Sequence, residues 1–164
     1  MNKTRFDVND AGLRDAFLRH EVVSALAGLS EGAVARWGRM TPQQMVEHLV
    51  WAVWLSTGRA QAQCATPAAD LARLRTFLYH NRPTPHEFMN PALTYGLPPL
   101  WHATLAAAKT ALGRELNCFL RESSGPETLH AHPVFGPIGH EEWHRAHYKH
   151  TCHHLLQFGL IEPE

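Results

Sequence analysis

Apolar residues recur at three- and four-residue intervals through four long stretches of this chain, and strict alternation is scarce, so the pattern predicts packed amphipathic helices and an all-α fold. The first stretch runs from about Asn9 to Ala27, with Leu18, Val22, Ala25, Leu26 and Leu29 forming its stripe and Gly28 and Gly32 helping to end it. The second opens on Thr41-Pro42-Gln43-Gln44: Thr41 can cap, Pro42 suits the first helical position, and Gln44 stands where a capping box needs it. Beyond this start Met45, His48, Ala52 and Leu55 share the face that should look inward. A third helix is expected from Pro98-Pro99 to about Arg121, with Leu105, Ala108, Leu112, Leu116 and Phe119 at helical spacing and Gly125-Pro126 closing the next turn. The fourth begins near His140 and ends around Phe158-Gly159, roughly 28 Å of helix.

Between the second and third helices, residues from about Arg59 to Pro99 hold most of the prolines and two further Thr-Pro starts, at Thr66-Pro67 and Thr84-Pro85. This stretch reads as a short helix near Pro67 to His80 followed by an irregular crossover. A loop is expected over His130-Ala131-His132-Pro133-Val134-Phe135-Gly136-Pro137. The sum is one domain over residues 1–164, an up-and-down four-helix bundle with short extra helices in the 59–99 crossover. At 164 residues, 45% of them hydrophobic, the chain can bury a core without staples.

Lysine plus arginine equals aspartate plus glutamate at 15 each, which removes the basic footprint of a nucleic-acid binder. Neither an apolar leader at Met1–Val8 nor an apolar run of about 18 residues is present, so a soluble cytoplasmic protein with no membrane partner is expected. Cys64, Cys118 and Cys152 are odd in number and lack CxxC spacing, and read as reduced packing thiols.

The chemistry lies in the last helix, whose run His144-Arg145-Ala146-His147-Tyr148-Lys149-His150-Thr151-Cys152-His153-His154 is dense in imidazole. Trp143, His147, His150, His154 and Gln157 follow the spacing of a core-facing stripe, so three histidines stand where a structural bundle would put leucine. A neutral imidazole buried without partners costs about 1–3 kcal/mol, and neighbouring ones resist protonation by mutual repulsion. A bound cation compensates all of them together. His150 and His154, four residues apart, project from one helix face and can reach a single ion, and His48 is the best candidate for the third ligand of an open site. His147 and His153 compete with them on spacing alone.

The other chemical residues carry blander expectations. His140 and His144, in the first turn of the helix, should be partly exposed. Cys152 lies about 200° around the helix from His150 and points away from the ion. Glu47 should be solvated, with a carboxylate orienting an imidazole as the alternative. Trp51, Trp54, Trp101 and Trp143 should be core or interface, with a pocket lining as the alternative. No GxSxG elbow, P-loop or dinucleotide fingerprint points to another enzyme class.

Two segments resemble the DinB-like, or YfiT-like, superfamily of four-helix metal proteins, and within it a bacterial branch of unknown function. They are Trp37-Gly38-Arg39-Met40-Thr41-Pro42-Gln43-Gln44-Met45-Val46-Glu47-His48, and His132-Pro133-Val134-Phe135-Gly136-Pro137 through Trp143 to His150-Thr151-Cys152-His153-His154-Leu155-Leu156-Gln157-Phe158-Gly159. The resemblance implies one histidine ligand on the second helix and an HxxxH pair on the last, which fall on His48, His150 and His154. Gly139 departs from the hydroxyl cap expected before the last helix, a change that touches a helix start and not the ligands.

Characterised members of the superfamily are thiol-dependent enzymes, including S-transferases and an isomerase, and the resemblance therefore implies a divalent metal ion, zinc or nickel first and manganese or iron next. It also implies a small-molecule substrate with a low-molecular-weight thiol, and is compatible with a homodimer. A metal-dependent thiol S-transferase or hydrolase acting on a small electrophile is the leading expectation. A non-enzymatic metal- or ligand-binding stress protein is the runner-up, and a pH-sensitive histidine interface the third.

Overall fold

Side-chain caps decide where the helices begin in the computed structural model, which describes residues 3–94, 96–122 and 128–164. Asp10 accepts from the Leu13 N–H and starts α1 (Ala11–Ala16), which passes through a π-helical turn (Phe17–Glu21) into α2 (Val22–Ala27). The expected first helix is thus one rod with a widened turn at its centre. Thr41 and Gln44 complete a reciprocal capping box, and α3 (Pro42–Ser56) follows with Met45, His48, Ala52 and Leu55 all buried.

The crossover is helical only in part. A 3-10 turn (Ala68–Asp70), α4 (Leu71–Arg75) and a second 3-10 turn (Thr76–Tyr79) occupy the place of the expected short helix. Thr66 does not cap it, because its hydroxyl donates to the Val134 carbonyl at 2.6 Å. Thr84-Pro85 starts no helix either, only a turn closed by the Phe88 N–H on the Pro85 carbonyl, and a 3-10 turn capped by Asn90 follows at Pro91–Leu93. α5 (Leu105–Arg121) begins later than Pro98-Pro99, with Thr104 as its cap. The reason sits on α3: the Glu47 carboxylate accepts the backbone N–H groups of Trp101 and His102 at 2.7 and 2.8 Å and holds the chain there off the helical path. The Gly125-Pro126 turn lies outside the described residues.

Where a loop is expected, β2 (His130–His132) and β3 (Gly136–Ile138) form a small antiparallel hairpin. Gly136 bends it at φ +69°, where an added Cβ would press on Leu71. α6 (His140–Gln157) follows, its N-cap Gly139 making no side-chain bond, and β4 (Glu162–Pro163) then pairs in parallel with β1 (Lys3–Thr4). The described fold is mostly helical. None of its described helices is long and apolar enough to cross a membrane.

α3 packs against both α5 and α6, and the π turn and α2 close over α5 and α6 from the other side. Phe17, Leu18, Met45, Leu112, Phe119 and Tyr148 meet in the core between them. Two buried cations fasten the remaining chain to α6. Lys149 donates to the carbonyls of Phe77, His80 and Arg82 while lying over the Phe77 ring, and thereby caps the crossover turn. Arg14 on α1 donates to the Val8 carbonyl, to Glu141 and to His144 Nδ1. Apart from these links, α6 packs face to face with α3.

Candidate metal centre

Those opposed faces bring His48, His150 and His154 together, each with one ring nitrogen within 4.8 Å of the others. His150 and His154 stand one turn apart on α6, and their Nε2 atoms are 3.1 Å apart; His48 reaches across from α3 to place its Nε2 2.9 Å from that of His150. The rings do not stack on one another. They meet edge-on, at interplanar angles of 89°, 79° and 67°, so that nitrogens and not ring faces point at the shared space.

The proton on His154 has a fixed place. Gln157, one turn further along α6, donates its amide N–H to the Trp37 carbonyl at 2.8 Å, which turns its oxygen toward His154 Nδ1, also at 2.8 Å. His154 therefore donates from Nδ1 and keeps the Nε2 lone pair free on the side of His150. Gly38 lets the Trp37 carbonyl come so close: it sits at φ +76°, and a Cβ there would lie 2.8 Å from the Gln157 amide nitrogen. Burial, and then the neighbouring His153, push His48 down to about 4. Burial and the adjacent imidazoles push His150 and His154 well below the usual histidine value. All three are neutral at pH 7, the state in which imidazole ligates.

The residues fit a bound cation. Lone pairs opposed at about 3 Å repel unless a proton or a positive ion lies between them; the His154 tautomer supplies no proton on that side, and a single N–H on His150 Nε2 would serve only one of its two neighbours, whereas one ion serves all three. Two nitrogens each about 2.0–2.1 Å from one ion stand roughly 3 Å apart, the spacing seen here. An all-imidazole donor set suits zinc, nickel or iron better than calcium or magnesium.

The remaining histidines have other partners, which separates them from the triad in a way that spacing could not. His147 is engaged through Nε2 with the Ser56 hydroxyl at 2.7 Å; because that hydroxyl donates to the Val53 carbonyl, His147 is the donor. His153 turns aside to hydrogen-bond the Thr84 backbone and to meet Trp37, against which His86 stacks at 3.7 Å. His144 is buried and not partly exposed, because its Nδ1 accepts from Arg14; His140 is half-buried, with Nε2 on the Phe119 carbonyl. His132 closes the hairpin by accepting the Val134 and Phe135 N–H groups.

Three further expectations change. Glu47 is 3% exposed and not solvated. It touches His102 rather than His48, and although burial raises its pKa, the N–H groups of Trp101 and His102 outweigh that and hold it below the usual carboxylate value. Of the cysteines only Cys152 is buried, pushed well up by burial and by Glu21, while Cys64 is half-buried and Cys118 exposed. The tryptophans divide: Trp143 is core, Trp54 packs on Trp101, and Trp51 and Trp101 line a cavity.

That cavity, of about 300 Å³, lies between α3 and the segment leading into α5, and His48 and Glu47 form part of its wall. The signal for it in sequence is slight, since most of its lining comes from the irregular 92–101 stretch. Comparison with protein-family profiles, curated proteins and solved structures finds no match for the chain.

Proposed function

We propose that this chain is a DinB-like protein, an up-and-down four-helix bundle in which His48, His150 and His154 hold one divalent metal ion, zinc or nickel first and manganese or iron next. In this reading it works in the cytoplasm as a metal-dependent enzyme, by thiol S-transfer to a small electrophile or by hydrolysis of one. The observation that carries the proposal is the convergence of three neutral imidazoles, two buried and His150 half-buried, through their Nε2 edges beside a cavity.

When bound, the ion supplies positive charge that lowers the pKa of a thiol or water and polarises an electrophile. The chain's own residues supply the rest. Gln157 fixes the ring of His154, burial keeps all three ligands unprotonated, and Trp51 and Trp101 present an apolar wall beside the site.

The same three ligands link α3 to α6, which favours a second reading in which the ion only clamps two helices. Untagged protein purified without a nickel column separates these outcomes by its metal content and by turnover. One ion per chain together with metal-dependent conjugation of a thiol to monochlorobimane, both lost in His150→Ala, is the expected result. One ion per chain without turnover across several thiols and electrophiles would leave the clamp, and no ion would overturn the metal reading.

A further inference from the structure

We infer that the cavity beside His48 is a binding site for an uncharged, flat, mainly apolar small molecule, with an acceptor atom taken by the Gln44 amide. Its walls are Trp51 on α3, Leu93 and Leu97 on the crossover, and Trp101, a set whose flat and branched surfaces suit a ring system. At about 300 Å³ it stands at the lower end of small-molecule pockets, the size for one or two fused rings.

The charge preference follows from what each polar group is already doing. Among the described residues no lysine or arginine lines the cavity, so an anion entering it would lose water without gaining a counter-charge. Glu47 carries negative charge, but its oxygens are taken by Trp101 N–H, by His102 through both its backbone and ring nitrogens, and by Gln43. It repels anions and has little left to offer a cation. Gln44 differs: its oxygen accepts the Thr41 N–H in the capping box, whereas its NH2 has no partner among the described residues and can donate. A neutral carbonyl-type acceptor is the group that this wall satisfies.

The inference rests on the proposed function only in making this ligand the electrophile that meets the ion; binding itself needs no metal. The test uses metal-free full-length protein and three isosteric probes, 2-naphthamide, 2-naphthoate and 2-naphthylmethylammonium, titrated calorimetrically. The neutral amide should bind at least tenfold more tightly than either ion. Leu93→Glu should weaken amide binding at least tenfold, and Gln44→Glu, which retains the capping acceptor but not the donor, several-fold. Both variants should melt cooperatively and still take up zinc at the wild-type stoichiometry, which keeps a folding defect apart from a lost site. Equal binding of the three probes, tighter binding of either ion, or wild-type affinity in Leu93→Glu would overturn the inference. Amide binding that persists in a protein taking up no metal would sink the metal reading and leave the cavity assignment standing.

Discussion

The Nδ1 of His154 lies 2.8 Å from the Oε1 of Gln157, and this bond decides which nitrogen of the imidazole faces His150. Because the Gln157 amide is itself oriented by the Trp37 carbonyl, three residues from two separate parts of the chain determine one tautomer. A partner of this kind both orients a ligand and raises its basicity.

Gln157→Leu should accordingly weaken zinc binding by roughly 10–100-fold, measured by competition with a chromophoric chelator. Gln157→Glu, which keeps an acceptor for Nδ1, should lose less. Wild-type affinity in the leucine variant would mean that the Nδ1 bond contributes nothing to the site.

Metal should raise the melting temperature near neutral pH, because the ion binds the folded arrangement better than the unfolded chain. His48→Ala, His150→Ala and His154→Ala should remove most of that increment. His147→Ala and His144→Ala should lower the starting temperature, since they break the bonds to Ser56 and Arg14, yet leave the increment largely intact. An equal loss of increment across all five variants would show the ligands to be misassigned.

How far these features were legible depended on whether they are local. The Thr41 capping box and the HxxxH spacing are written within a few residues, and the helices and the inward faces of His48, His150 and His154 follow from them. Glu47, Arg14 and Lys149 were not legible, because a charged residue on a helix reads as solvated and its partners lie 54 or more positions away, apart from the Arg14 bond to Val8 and that of Glu47 to Gln43. The start of α5 was misplaced for the same reason: a Pro-Pro step looks like a helix start, but the N–H groups just beyond it go to Glu47. The exclusion of His147 and His153 from the triad likewise hangs on Ser56 and Thr84, residues that helical periodicity does not see.

Glu47→Ala should test how firmly α3 holds the entry to α5. It leaves the part-buried Trp101 and His102 N–H groups without their charged acceptor, a loss of about 1–3 kcal/mol. A reduced urea midpoint at unchanged m-value is the expected outcome, together with weaker binding in the cavity whose wall Trp101 forms. An unchanged midpoint would mean that water replaces the carboxylate at no cost.

Acid should destabilise the metal-free protein before its carboxylates titrate, through buried histidines outside the triad as well as within it. Burial pushes His132 and His147 down to about 3 and His144 to about 4, with Arg14 adding to the shift at His144. Each has a folded pKa below its unfolded value near 6.5, so between about pH 6.5 and 4 the unfolded chain binds more protons. The stability these neutral rings contribute is therefore complete above about pH 6.5 and is lost as pH falls through the folded values. Each proton adds a slope of about 1.4 kcal/mol per pH unit, and these three, added to the depressed rings of the triad and of His153, make the decline steep. Urea midpoints of chelator-treated protein between pH 7.5 and 4.5 should follow that slope, and His147→Gln, which removes one of the seven depressed rings, should flatten it by about a seventh. A midpoint that stays level down to pH 5 would show that these rings are already protonated in the fold or reach water there, and the burial argument for all three would fall.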